Sequence, residues 1–133
     1  MAANELPDDV RRFIVSNIAS VAQLEALLLL REDRQKEWPI EEMSRALYAA
    51  AGGMIDQLND LVSKGLAYVT FESDARYRYR PDMGSELDAL LGRLADLYKK
   101  RRVSVISLIY SEPVDKARSF ADAFRIRKEK EAE

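Results

Sequence analysis

The chain has 133 residues, 21 basic against 23 acidic, a net charge of −2, and neither cysteine nor histidine. That length suits one domain built on a single core. The missing residue types remove disulfides, thiolate chemistry, the commonest general base and the usual zinc ligands, so the sequence points away from an enzyme, a metal and a cofactor.

The apolar runs Ala26–Leu30 and Val103–Tyr110 fall short of the roughly 20 residues a membrane span needs. Glu5, Asp8 and Asp9 do not make a basic leader. A cytoplasmic protein without a membrane partner is expected.

Leu6-Pro7-Asp8-Asp9 leads into Val10, Phe13 and Ile14, an amphipathic first helix with proline and acids at its start. Ser20-Val21-Ala22-Gln23 reads as a capping box. The helix it opens carries Leu24 and Leu27 to Leu30. Four consecutive leucines cannot share one face, so this helix is expected to be nearly surrounded. The charged run Arg31–Glu37 that follows reads as a solvated helix end and loop.

From Trp38 to Pro81 the pattern is helix, turn, helix, hairpin. Ile40, Met43 and Leu47 make one apolar face, with Pro39, Glu41 and Glu42 at the helix start. Tyr48 to Gly53 reads as a tight turn, with Gly52-Gly53 relieving steric crowding. A second apolar face follows in Met54, Ile55, Leu58, Leu61 and Val62, ending at Lys64-Gly65.

The period then changes to two. Ala67, Val69 and Phe71 alternate with Tyr68, Thr70 and Glu72. Tyr77 and Tyr79 alternate with Arg76, Arg78 and Arg80. Glu72 to Ala75 supplies the turn, and Pro81 ends the second strand. The expected fold is mainly α with a small two-stranded β-hairpin: a winged helix-turn-helix at 38–81, its wing at 66–80, with extra N- and C-terminal helices.

The run Leu58-x-x-Leu61-Val62-Ser63-Lys64-Gly65-Leu66 with a hairpin directly behind it resembles the winged helix domains of bacterial MarR-like and PadR-like transcriptional regulators. The resemblance covers about a third of the chain. It implies a second helix that enters the major groove of DNA, a wing that touches the backbone or minor groove, and a homodimer.

Beyond the wing, Asp82 or Ser85 can cap a long helix reaching about Arg102. Its stripe of Leu87, Leu90, Leu91, Leu94, Leu97 and Tyr98 fits intramolecular core and a dimer seam equally. Val103–Tyr110 continues as helix or strand, with helix favoured by context. Pro113 starts a last amphipathic helix with Val114, Ala117, Phe120, Ala121 and Phe124 on one side. The helical region runs through 82–128, and residues 129–133 make a fraying tail.

Charge placement divides the functional reading. Residues 37–75 hold seven acids against two bases, a balance of −5, and residues 76–102 hold eight bases against four acids, a balance of +4. On a helical wheel Gly52, Asp56, Asn59, Asp60 and Ser63 face outward from the second helix, with Gln57 and Lys64 at a margin.

Affinity for duplex DNA comes mostly from Lys and Arg at phosphates, which two outward aspartates oppose. Gln57 and Asn59 can read adenine edges, or can simply be solvated polar positions. Arg76, Arg78 and Arg80, at period 2, suit phosphate or narrow minor-groove contact, or else pair with Glu72, Asp82 or helix acids. Lys99 to Arg102 adds a basic cluster that the helix dipole alone explains.

The leading expectation is a regulator whose partner is duplex DNA, held by Arg76, Arg78 and Arg80 and by Gln57, Asn59 and Lys64. The alternative is a protein-interaction module using Asp56 and Asp60. A small-molecule sensor pocket between the long helices is compatible with the first.

Overall fold

The structure is a computed structural model that describes residues 6–71 and 74–111. The expected last helix from Pro113 and the tail at 129–133 lie outside those residues, as does Glu72. Among the described residues are helices α1 (Asp8–Asn17), α2 (Val21–Glu32), α3 (Ile40–Leu47), α4 (Ala51–Ser63), α5 (Glu86–Lys100) and α6 (Arg102–Ile109). The strands are β1 (Trp38–Pro39), β2 (Ala67–Phe71) and β3 (Ala75–Tyr79). Two compact units emerge: residues 20–89 form one, and the described parts of 1–19 and 90–133 form the other.

The first unit is the winged helix. Ser20 Oγ accepts the Gln23 N–H at 3.0 Å, which caps α2 as the capping box predicts. The Gln23 side chain, fully buried, turns to α4, where its amide nitrogen donates to Gln57 O at 3.2 Å and Asp60 Oδ2 at 2.8 Å. Leu24, Leu27 and Leu30 are buried and Leu28 and Leu29 half-buried, and no residue from Val21 to Arg31 is exposed, so α2 is nearly surrounded as expected. α4 packs on α2, α3 and β2, and Met54, Leu58 and Leu61 fill that junction with Met43.

α4 ends in a Schellman motif. Leu66 N–H bonds to Leu61 O at 3.0 Å and Gly65 N–H to Val62 O at 3.1 Å, with Gly65 at φ 77°. A glycine is needed there because a Cβ is strained at positive φ. The motif turns the chain directly into β2, so the change of period near Gly65 marks a real change of structure.

β2 and β3 pair antiparallel from Ala67↔Tyr79 to Phe71↔Ala75. The hairpin is not alone: Trp38 and Pro39 pair with Tyr77 and Arg76, giving a three-stranded sheet of order β1-β3-β2. The two-residue edge strand carries no alternation, so the period of the sequence could not reveal it. Proline suits this edge, since it needs no donor on the outer side.

In the second unit α1 packs on α6, and Val10, Phe13, Ile14, Val105 and Ile109 are buried. Asp9 Oδ1 accepts the Val10 N–H at 2.8 Å, and Arg93 pairs with Asp9 at 2.8 Å. Val103–Tyr110 is helical up to Ile109, as context suggests. The long helix stops at Lys100, and Arg101 breaks it before α6 begins. No single helix among the described residues is long and apolar enough to cross a membrane.

Candidate nucleic-acid interface

The corner between α3 and α4 departs from its sequence reading. Gly52 and Gly53 belong to the first turn of α4, and a Cβ on either would meet nothing within 4 Å. They therefore do not relieve crowding. They leave backbone open: the first intrahelical bond is made by the Met54 N–H to Ala50 O at 3.0 Å, so the N–H groups of Gly52 and Gly53 lie ahead of it. The first turn of α4 holds no acid, and no side chain caps it.

α3 ends in the same bonding pattern as α4. Ala49 N–H bonds to Ser44 O at 2.9 Å and Tyr48 N–H to Arg45 O at 3.3 Å. Here the left-handed residue is Tyr48, at φ 55° and ψ 43°, in the place where α4 uses glycine. Tyr48 is 98% exposed, so no packing offsets the strain. Arg45, one turn earlier on α3, is exposed too.

The outward face of α4 is less available than the wheel implies. Gly52, Asp56, Asn59 and Ser63 are exposed as expected, but Ile55, read as core, is 38% exposed. Asn59 Oδ1 accepts the Tyr77 hydroxyl at 2.7 Å, so one of its polar atoms braces the wing. Asp60 accepts Lys64 Nζ at 2.6 Å as well as the Gln23 amide, and those two hydrogen bonds hold its carboxyl below the ordinary range against a smaller opposing effect of burial. Lys64, Asn59 and Asp60 thus carry intramolecular duties, and Gln57 is half-buried with its carbonyl bonded to Gln23.

The three wing arginines differ among themselves. Arg78 Nε donates to Arg34 O at 3.0 Å, and its guanidinium lies 5.9 Å from the Tyr68 ring centre. Arg76 pairs with the exposed Asp74 at 3.2 Å. Arg80 is exposed and makes no side-chain hydrogen bond or ion pair among the described residues. Phe71, at the distal end of β2, is 74% exposed.

No family model matches the sequence, and no curated protein matches it. Among solved structures the chain is similar to a MarR family protein from Bacillus stearothermophilus. The identity is 17% and the TM-score 0.47, over 94% of this chain and 84% of that one. This is one of the two families that the Leu58–Leu66 pattern resembles. A likeness of that depth transfers no function, so the chain's own residues must decide it.

At the base of the wing lies a cluster that the sequence reading missed. Asp88, in the first turn of α5 and 4% exposed, accepts Arg31 Nε at 3.1 Å and Arg34 Nη2 at 3.0 Å to each oxygen. It also accepts the Tyr79 hydroxyl at 2.7 Å and the Gly84 N–H at 3.1 Å. Burial pushes the Asp88 carboxyl up, but the Tyr79 and Gly84 hydrogen bonds and the two arginines outweigh it and hold it well below the usual range. Burial, the hydrogen bond to Asp88 and its charge push the Tyr79 hydroxyl up, against Arg31 and Arg34.

Arg31 and Arg34 are therefore half-buried and held in place, whereas Glu32, Asp33 and Gln35 of the same run are exposed as expected. Ser85 Oγ accepts the Asp88 N–H at 3.1 Å, so Ser85 caps α5. The Ser85-x-x-Asp88 spacing was the one sequence signal for this site, because it puts an acid at the third helical position.

Proposed function

We propose that the chain is a winged-helix transcription regulator that meets duplex DNA through the α3–α4 corner and the wing. The observation that carries this reading is the corner. It combines an uncapped helix start free of acids, two glycines that let a phosphate approach the backbone, an exposed Arg45, and a strained Tyr48 whose side chain serves no packing purpose. Arg76 and Arg80 add cationic contacts from the wing, while Arg78 braces it from within. Gln57, Asn59 and Lys64 then play secondary parts.

Anisotropy titration of a labelled mixed-sequence duplex tests this. Three contacting cations, Arg45, Arg76 and Arg80, give a slope of log affinity against log salt of roughly −3. Replacing Arg45 or Arg80 by alanine lowers the magnitude of that slope by about 1. Binding that ignores salt, or no binding at low salt, rules the reading out.

A second reading is favoured by one observation. Residues 20–89 hold thirteen acids against eight bases, a net −5, and α4 exposes Ile55 beside Asp56. That face suits a protein surface that is apolar and basic. A partner whose binding needs Asp56 and Ile55, combined with absent duplex binding, would put this reading first.

A homodimer through α5 goes with either reading. Leu91, Leu94 and Tyr98 are buried within the chain, but Leu87, Leu90 and Leu97 stay half-buried at a spacing of three and seven. Sedimentation equilibrium of the Leu90→Glu, Leu97→Glu double variant should show a monomer where the parent shows a dimer. No change of mass would remove α5 as the seam.

A further inference from the structure

We infer that Asp88 is the positioning residue of the wing: it touches no ligand, and it fixes β3 so that Arg76 and Arg80 are presented from a preset strand. The inference rests on the wing being a contact surface, as proposed above. Consecutive residues of β3 are gripped on opposite faces of the sheet. Tyr79 is tied by its hydroxyl to Asp88 at 2.7 Å. Arg78 is tied by Nε to the carbonyl of Arg34 at 3.0 Å, and Arg34 in turn holds both oxygens of Asp88.

The Arg34 guanidinium also lies 5.2 Å from the Tyr79 ring centre, which leaves it little freedom to swing away. Two residues earlier, Tyr77 is anchored to Asn59 of α4 at 2.7 Å. The strand thus has three attachments within three residues, and two of them run through one buried carboxylate. Arg80, and Arg76 with its solvent-facing pair to Asp74, lie on either side and are the positions that can meet a partner.

Such a lock should act on affinity by removing the ordering cost of binding, not by adding a phosphate contact. The test compares the full-length protein with Asp88→Asn, which keeps the shape and loses the charge, and with Tyr79→Phe, a milder variant for the case where the first does not fold. Two quantities are read: amide hydrogen exchange along β2, β3 and α4, and duplex affinity at several salt concentrations.

Both variants should speed exchange in β3 by a larger factor than in α4, and should weaken duplex affinity about tenfold at an unchanged salt slope. A purely global loss of stability would instead speed exchange in β3 and α4 by the same factor, and loss of a direct phosphate contact would change the slope. Either outcome overturns the inference, as does slow β3 exchange in a folded Asp88→Asn protein. If the parent itself binds no duplex, the DNA reading falls, and the exchange measurement alone then supports or overturns the lock.

Discussion

Replacing Tyr48 by glycine should make the protein more stable and bind DNA less well. A bulky residue in the left-handed region costs roughly 1–2 kcal/mol, and Tyr48, at φ 55° and 98% exposed, recovers none of it by burial. Glycine removes the strain but gains about 0.4–1 kcal/mol of unfolded-chain entropy, so the net gain is about 0.5 kcal/mol and at most about 1.5 kcal/mol. Asparagine tolerates the conformation without glycine's entropy and should gain slightly more. Alanine keeps the strain and should change stability by less than about 0.5 kcal/mol. Urea unfolding measures these differences as shifts in midpoint at constant slope. On the DNA side, loss of one hydrogen bond to a charged phosphate oxygen is worth about 1.5 kcal/mol, or roughly tenfold in affinity, for glycine and alanine alike. A glycine variant less stable by more than about 1 kcal/mol would show that the ring packs, and unaltered affinity would show that Tyr48 meets no DNA.

Asp88→Ala should destabilise by about 3–5 kcal/mol, because it strands Arg31 and Arg34 in a largely enclosed site; urea unfolding checks it. The folded carboxyl of Asp88 titrates below its unfolded value near 3.9, so its contribution is full above that pH and disappears as pH falls through the folded pKa. Acid unfolding of Asp88→Asn should accordingly be shallower than that of the parent. Tyr79 has the opposite sign: its raised pKa means stability lost as pH climbs above about 10, a loss that Tyr79→Phe should abolish in alkaline melts. A double-mutant cycle of Asn59→Ala and Tyr77→Phe should give a coupling of about 1 kcal/mol, and additivity would remove the brace. Lys64→Ala should change stability by no more than about 0.5 kcal/mol, since its pair with Asp60 is solvent-facing.

What the sequence announced is the local grammar. Gly65 ends α4, Ser20 caps α2 and the tyrosines of β3 alternate with its arginines, and each of these is written in adjacent residues. The contacts that join distant segments left no such trace. Asp88 lies 57 residues from Arg31 and 54 from Arg34, and nothing in a charged run distinguishes an arginine held by a distant carboxylate from a solvated one. Asn59 and Asp60 face outward on a wheel, yet their side chains reach Tyr77 and Gln23 across the sheet and the neighbouring helix. Gly52-Gly53 looks like a turn because glycine favours turns, whereas the turn is made by Tyr48, a residue type that rarely takes that conformation. The candidate site was legible in the wing and illegible at the corner for that reason.

The most direct test of the account is a backbone-amide NMR titration of the full-length protein with a mixed-sequence duplex at low salt. Shifts should concentrate at Tyr48, Gly52 and Gly53 and at Ala75 to Arg80, fading as salt is raised. Shifts confined to Ile55, Asp56 and Ser63, or no shifts at any duplex concentration, would contradict it.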